Sequence, residues 1–572
     1  MNDPFESPDQ VGLKTHKTRA HKFHVRKRLD RPNVLLLMTD QQRFDTINAA
    51  GYHFMHTPNL DRLVREGCLY RYAYTPNPIC LAARHNVLTG LPARYHGFPD
   101  NVHTSVTRQD LPTLPRILSD NGYDTRAIGK MHFRPARRHN GFLNMELMEE
   151  LPNTREEDEY ATYLKQVGLG YIQNIHGVRN LLYMLPQRSL IPEEHHGTKW
   201  VADRSVDFIR SNNGRQPFFV WTSWIAPHPP FDIIDRFAEL YKDADLPDPH
   251  VSKTPLAALT QENAMLGDIP DARYLRRMRE VYYAAISMVD EQVGRILDAL
   301  EEINQLDNTL IIFTSDHGEF LGDYGLYQKW NPYDCCTRVP FIIRYPKKIA
   351  PGTAVDDFID LNDILPTVLD IAELEYPGDC TLPGESLFRP NPQKDRSWQY
   401  VEYAEKNRRW ISIRNRTHKY NYYYGGGFEQ LFDMQNDPYE TINMLHGAVS
   451  DTIRDTRIAM RDKLLAYERQ WGLKGYVREL GFKVGNPYQP HPQRNEAFQR
   501  FVLQITDERE KGEMNDLVNE IPLAVAKESI VNLGELDIPA WQRNLGISDQ
   551  DVERMLTTHD RLRRELVQHA RD

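Results

Sequence analysis

The sequence predicts an α/β fold: a large, mostly parallel sheet flanked by helices, then a small C-terminal antiparallel sheet and an extended C-terminal arm. Three observations predict it. Short continuous apolar runs recur along the chain, as in strands buried on both faces of a parallel sheet. A helical pattern of apolar residues lies between two of them. After about Pro390 the runs give way to short aromatic-rich segments.

The first run is Asn33-Val34-Leu35-Leu36-Leu37-Met38, followed by Phe218-Phe219-Val220-Trp221, Leu310-Ile311-Ile312-Phe313 and Pro340-Phe341-Ile342-Ile343. From near Tyr274, Leu275, Met278, Tyr282, Ile286, Val289, Val293, Ile296 and Leu300 recur at steps of three and four, which predicts a long helix. Strands alternating with helices imply a parallel sheet, whose site lies outside the carboxyl ends of the strands. Trp398–Tyr403, Trp410–Arg414 and Lys419–Tyr424 read as three short antiparallel strands. From about Gly472 the chain is rich in charge and loops, with Pro487, Pro490 and Pro492 close together. The expected organisation is a basic N-terminal arm over 1–31, an α/β catalytic domain over 32–395, a small α+β subdomain over 396–471, and an arm over 472–572 that serves oligomerisation or covers the active site.

Composition excludes several classes. With 40 % apolar and 26 % charged residues in 572, the chain is not disordered throughout. Its 70 basic and 80 acidic residues leave −10, the wrong sign for gripping nucleic-acid phosphates. No stretch of about 18 apolar residues predicts a membrane span. The arm carrying Lys14, Lys17, Arg19, Lys22, Arg26, Lys27 and Arg28 lacks the apolar core of a secretory signal and reads as a mobile or subunit-clasping segment, with nucleic-acid or lipid contact as the alternative. His16, His21 and His24 within it read as solvated. Five cysteines in so long a chain make no disulfide framework, and a cytoplasmic location is expected.

Two buried strands run into acidic residues: Thr39-Asp40-Gln41-Gln42 and Asp316-His317-Gly318. Carboxylate, amide and imidazole converging at strand ends can hold a divalent metal. Taken alone, Asp40 and Asp316 equally fit turn caps. Cys80 stands at a predicted helix start in Pro78-Ile79-Cys80-Leu81-Ala82-Ala83-Arg84, with Arg84 one turn on along the same face. A helix start favours anions, whereas an isolated cysteine also reads as a small buried hydrophobe.

The segment from Cys80 to Thr89-Gly90 resembles the signature of the sulfatases, a branch of the alkaline phosphatase superfamily, with Ala82 where most members have proline. Gly129-Lys130-Met131-His132 looks like the family's Gly-Lys-x-His element, and Pro227-His228-Pro229-Pro230-Phe231 like the segment supplying a second active-site histidine. Asp316-His317-Gly318-Glu319 with Lys329 is similar to its metal and leaving-group segment. Leu431-Phe432-Asp433, Asp437-Pro438-Tyr439-Glu440 and Asn443 resemble its C-terminal signature. The likeness spans roughly Pro32 to Leu445 and comes nearest to arylsulfatases, choline sulfatases and phosphonate monoester hydrolases.

The resemblance implies an alkaline-phosphatase-like core and a sulfuric ester hydrolase whose Cys80 is oxidised to formylglycine by a formylglycine-generating maturase. It implies one divalent metal, calcium or manganese, held by Asp40, Gln41, residue 80, Asp316 and His317. The hydrated aldehyde would attack sulfur through one hydroxyl and expel sulfate by deprotonation of the other. Arg84 would steady residue 80, Lys130 would bind the transferred group, and His132 would act as the base that releases sulfate. His228 and Lys329 would face the leaving oxygen. Asn101 aligns with an asparagine that contacts the transferred group in the related branches; its other reading is a turn residue.

Sulfate monoesters, phosphonate monoesters and phosphodiesters are all monoanions near neutrality, so charge alone does not separate them. Lys130 and His132 stand where phosphonate monoester hydrolases carry hydroxyl-bearing residues, which favours a sulfate ester, with side activity on phosphonates and phosphodiesters expected. The alternative is a phosphonate monoester hydrolase or phosphodiesterase using the same site. Choline sulfate would want an aromatic cage. A non-catalytic binding protein on this fold should have lost part of the residue set, and none of it is missing. Relatives of this type assemble as homodimers or homotetramers.

Overall fold

A computed structural model describes residues 31–489, apart from 102–105, 153, 171, 173–174, 178–185, 190, 261–271, 391–395 and 480. The basic arm up to residue 30 and the C-terminal arm beyond 489 lie outside the described residues.

The large sheet contains β1 (Asn33–Asp40), β2 (Cys68–Tyr74), β3 (Asp124–Gly129), β4 (Asn144–Leu147), β5 (Phe218–Pro227), β6 (Thr309–Ser315), β7 (Phe341–Arg344) and β8 (Thr353–Asp360). Their spatial order is β8-β2-β7-β6-β1-β5-β3-β4, and a ninth two-residue strand, Arg338–Val339, pairs with β2. Every neighbouring pair is parallel except those made by β7 and by Arg338–Val339. The fourth apolar run is thus a strand of this sheet, but it runs against the rest. The chain leaves the carboxyl end of β6, crosses that end of the sheet, and returns directly as β7 beside β6, with no crossover helix to reverse it.

Strand β1 sits at the centre between β5 and β6, and all eight of its residues are buried. Burying a Val, Leu or Met side chain stabilises by about 1.5–3 kcal/mol, so this run anchors the sheet. The two faces are covered separately. Leu36 and Met38 face a core shared with Leu88, Ile364 and Val368, and Leu35 and Leu37 face one shared with Trp200, Val293 and Ile296. Four helices matter here: α1 (Cys80–Thr89), α2 (Gly197–Asn212), α3 (Ala272–Glu302) and α4 (Asp451–Trp471). The expected pattern lies in α3, where Met278, Tyr282, Ile286, Val289, Val293, Ile296 and Leu300 are all buried. Every residue of α1 is buried, which accounts for its lack of a polar face.

The C-terminal sheet has four antiparallel strands, β9 (Gln399–Tyr403), β10 (Trp410–Arg414), β11 (His418–Tyr423) and β12 (Phe428–Asp433). The first three match the sequence expectation; the fourth is the strand that carries Leu431-Phe432-Asp433. Helix α4 packs on this sheet through Met460, Leu464 and Leu465.

Candidate active site and metal centre

Five neighbouring parallel strands deliver side chains to one end of the large sheet. Asp40 ends β1, Lys130 follows β3, Glu149 and Glu150 follow β4, His228 follows β5, and Asp316 follows β6. This is the carboxyl end, where the parallel topology places a site. Cys80 enters as the first residue of α1, with Ile79 as N-cap.

Asp40, Cys80, Asp316 and His317 are buried and bring one ligand atom each within 4.8 Å of one another. Cys80 Sγ lies 3.1 Å from His317 Nε2 and 3.7 Å from Asp40 Oδ1. Arg84 engages the outer oxygen of both aspartates, through Nη2 to Asp40 Oδ2 at 3.2 Å and Nε to Asp316 Oδ2 at 2.9 Å. The Oδ1 atoms are left towards His317 Nε2, at 3.8 Å from Asp40 and 3.7 Å from Asp316. His317 donates from Nδ1 to the Gly318 carbonyl at 3.0 Å, which leaves the Nε2 lone pair facing the cluster. Burial lowers the His317 pKa and so favours the neutral, ligating imidazole. Burial alone would raise the Asp40 carboxyl, but Lys130, aided by His228, Arg84 and His317, holds it well below its usual range. Two carboxylates and a neutral imidazole with one lone pair aimed inward form a divalent-metal-binding site.

The remaining expected residues surround this cluster. Gln41 accepts from Lys329 Nζ at 2.5 Å through Oε1 and donates through Nε2 to Glu319, while its backbone N–H donates to Asp316 Oδ1 at 3.1 Å. Lys130 Nζ lies 2.6 Å from Asp40 Oδ2 and 2.6 Å from Glu150 Oε2. Gly129 permits this approach, since a Cβ there would stand 1.9 Å from the Ser223 carbonyl that accepts the Lys130 N–H. His228 donates from Nδ1 to the Pro229 carbonyl at 2.6 Å and accepts from Lys329 Nζ at Nε2, 2.8 Å away. Burial lowers the His228 and His132 pKa values well below the ordinary one. Asn101 Oδ1 accepts the Leu81 N–H at 3.2 Å, satisfying a donor at the start of α1 from the rim of the site.

A cavity of about 460 Å³ opens onto Cys80, with Asn101, His132, Glu150, His228, Lys329 and Trp330 in its wall. Gln41, His132, Gln328 and Trp330 all adopt left-handed backbone angles, with φ of 66°, 56°, 69° and 76°. Such conformations cost about 1–3 kcal/mol each for non-glycine residues and cluster at functional sites. Backbone hydrogen bonds hold all four: Glu319 accepts the Gln328 N–H, and Trp410 Nε1 donates to the Trp330 carbonyl at 2.7 Å. Tyr282 OH donates to the Gln41 carbonyl, and the His132 N–H donates to Glu149 Oε1 at 2.9 Å.

Two residues of this region escape the sequence reading, Glu149 and Glu150, and a third, Glu319, stands in the Asp316–Glu319 motif with no role given to it. Glu149 accepts the Met131 and His132 N–H groups and so holds the loop that carries Lys130 and His132. Glu319 holds Gln41 and accepts the N–H groups of Leu321 and Gln328. A strand running into acidic residues is the signal that exposes Asp40 and Asp316. It applies to Met145–Glu150 as well, but β4 is too short to be read as a strand.

The fold and this cluster define a class: a metal-dependent hydrolase of tetrahedral oxyanion esters, built on an α/β core of the alkaline phosphatase type. The sulfatase family model matches residues 32–374, and a model for the C-terminal region of N-sulphoglucosamine sulphohydrolase matches 322–470. The chain is 32 % identical over 486 residues to an arylsulfatase of Clostridium perfringens, covering 80 % of this chain and 97 % of that one. It is 30 % identical to a choline-sulfatase of Rhizobium meliloti, over 78 % of this chain and 89 % of that one. The solved phosphonate monoester hydrolase of Agrobacterium radiobacter shares the fold at a TM-score of 0.66 and 24 % identity, covering 80 % and 100 %. The chain belongs to the sulfatase family. It is a sulfuric ester hydrolase with a Cys/Asp/His metal-binding site of the kind that formylglycine chemistry uses. Among the described residues no helix is long and apolar enough to cross a membrane.

Proposed function

We propose that this enzyme cleaves the sulfate monoester of a small aryl or alkyl alcohol, using a formylglycine made from Cys80 by a formylglycine-generating maturase. One observation carries the reading: Cys80 opens a buried helix inside the Asp40, Asp316 and His317 cluster and at the floor of the cavity. Asp40, Gln41, residue 80, Asp316 and His317 would hold one divalent ion. Imidazole favours manganese and the oxygen donors favour calcium, and metal analysis of the purified protein decides between them. When present, the ion supplies Lewis acidity and the hydrated aldehyde supplies a nucleophilic hydroxyl with a second hydroxyl for release of sulfate.

The side chains of the chain itself do the rest. Arg84 fixes both aspartates and sits beneath residue 80. Lys130 and Asn101 bind oxygens of the transferred group. His228 accepts from Lys329, so the proton beside the leaving oxygen is on Lys329 Nζ, which stabilises and protonates that oxygen as the sulfur–oxygen bond breaks. His132, kept neutral by burial, takes the proton whose loss lets sulfate depart.

The second reading is a phosphonate monoester hydrolase or phosphodiesterase using the same residues. It draws on Gln41 and His317, a pair that resembles choline sulfatases and phosphonate monoester hydrolases alike and stands where many arylsulfatases have Asp and Asn. The test uses protein produced with the maturase and an aldehyde confirmed at residue 80 by peptide mass. A higher kcat/KM for 4-nitrophenyl sulfate than for a 4-nitrophenyl phosphonate monoester is expected; the reverse order makes the second reading the function.

Residues 32–395 serve in this reading as the catalytic domain and 396–471 as a subdomain closing one side of it. In the same reading the arm at 1–31 clasps a neighbouring subunit, and the arm at 472–572 serves assembly into a homodimer or homotetramer or covers the site. Five free cysteines suit a cytoplasmic location.

A further inference from the structure

Glu150 belongs to none of the motifs that mark the site, yet it stands at the centre of its charge balance. Its Oε2 is 2.6 Å from Lys130 Nζ and its Oε1 is 3.7 Å from His228 Nδ1. Its side chain is 11 % exposed and forms part of the cavity wall that also holds Cys80. The other carboxylates nearby are committed elsewhere. Asp40 and Asp316 are bound by Arg84. Glu149 accepts the backbone of Met131 and His132, and Glu319 accepts Gln41, Leu321 and Gln328. Glu150 is the carboxylate that both lies in the cavity wall and pairs with Lys130, which places it to act on the charge of whatever enters.

We propose that Glu150 is a specificity-determining residue that makes the cavity accept singly charged tetrahedral esters and reject dianionic phosphate monoesters. This rests on the reading above, in which Lys130 binds the transferred group. Lys130 already shares its ammonium with Asp40 and Glu150, and of these three Glu150 is the one in the cavity wall, so an entering ester meets a carboxylate backed by a partly neutralised cation. A monoanion profits from the lysine and feels one repulsion. A dianion doubles the pull of Lys130 and the push of the carboxylates alike, and because Asp40 and Glu150 together outweigh the one ammonium they share, the net change within this group is repulsive, at distances where protein dielectric screens like charges only partly. Selectivity against an ester of the same shape but one more charge follows from this arrangement, as a repulsive element built into the site.

The test compares kcat/KM for 4-nitrophenyl phosphate and 4-nitrophenyl sulfate at pH 8, where the phosphate ester is a dianion, in protein with the aldehyde confirmed at residue 80. Glu150→Gln keeps the shape and an acceptor for Lys130 but removes the charge. The phosphate-to-sulfate ratio should rise at least about tenfold over wild type, and Glu150→Asp should leave it within about threefold. A role confined to folding would lower both rates together and leave the ratio unmoved, and that result overturns the proposal. Should the thermal melt show Glu150→Gln to be unfolded, Glu150→Ser is read the same way. Wild-type turnover of the sulfate with an unmoved ratio refutes only the role of Glu150, whereas absence of wild-type turnover of either ester refutes the underlying reading and the proposal with it.

Discussion

Arg84 and Arg409 are both wholly buried, and each lies between two carboxylates, yet one sits in the active site and the other staples the C-terminal subdomain. Arg409 bonds Glu402 and Glu468 at 2.7 Å and donates to the Ala404 carbonyl at 3.2 Å. Tyr400 and Tyr424 donate to the two oxygens of Glu468, so this network closes on itself and ties α4 to the small sheet. Around Arg84 each aspartate keeps an oxygen turned towards Cys80 or His317, and Glu150, paired with Lys130, borders a cavity. Desolvated charges are expensive in both places. Where every polar atom is answered from within, the product is a rigid joint; where some are left facing one another across a gap, the product is a place for a metal and an anion.

The sharpest way to break this contrast is at the open network. Cys80→Ala should abolish sulfate ester turnover, and Asp316→Asn should lose bound metal and activity together, with metal content and kcat/KM measured on the same samples. Near-wild-type rates in either would mean that the open cluster is only another structural joint. The closed network should behave oppositely. Arg409→Met leaves Glu402 and Glu468 buried without their cation and should lower stability by about 3–5 kcal/mol in denaturant titration, while kcat/KM of the folded enzyme stays within about threefold.

Two smaller effects sharpen the boundary between the regions. The Glu149 carboxylate accepts the Met131 and His132 N–H groups, so Glu149→Gln should reduce kcat about tenfold by loosening the Lys130–His132 loop, with KM little changed. An equal loss in KM would mean that it binds substrate instead. Behind it, Asp158 accepts the Glu149 and Ala161 N–H groups, and burial raises its carboxyl to about 8. The native state therefore holds this proton more tightly than the unfolded chain. The stability it contributes is fully present below the ordinary carboxylate range and is lost as pH rises to about 8. Asp158→Asn should flatten the fall in unfolding free energy over that interval, seen as the difference between wild-type and variant pH profiles.

What could be read from the sequence follows from how strongly each element advertises its burial. Strands β1, β5, β6 and β7 are continuous apolar runs because both faces are covered. Strands β3 and β8 mix charge with apolar residues, and β8 leaves most of its first half exposed at the sheet edge, so neither stands out. The antiparallel course of β7 is a matter of chain return, which periodicity does not encode. The site divides in the same way. Cys80, Arg84, Lys130, His132, His228, Asp316, His317 and Lys329 lie in dense motifs that sequence exposes. Glu149 and Glu150 lie about 20 positions from Lys130 and belong to no motif, and the β3–β4 pairing is what lays them beside it.

The direct return of β7 has a further consequence. Asp316, His317 and Lys329 ride on one segment whose two ends are hydrogen-bonded neighbours in the sheet. Opening that segment removes two members of the cluster and the lysine that bonds Gln41 and His228 in a single event, so these groups share one local unfolding equilibrium rather than three. An ion that binds only the closed segment stabilises it by RT ln(1 + c/Kd) at free ion concentration c, a gain that grows with the logarithm of that concentration once the site is filled. Amide hydrogen exchange between Asp316 and Thr337 should therefore slow on metal addition as one cooperative unit, while exchange in α4 stays unchanged.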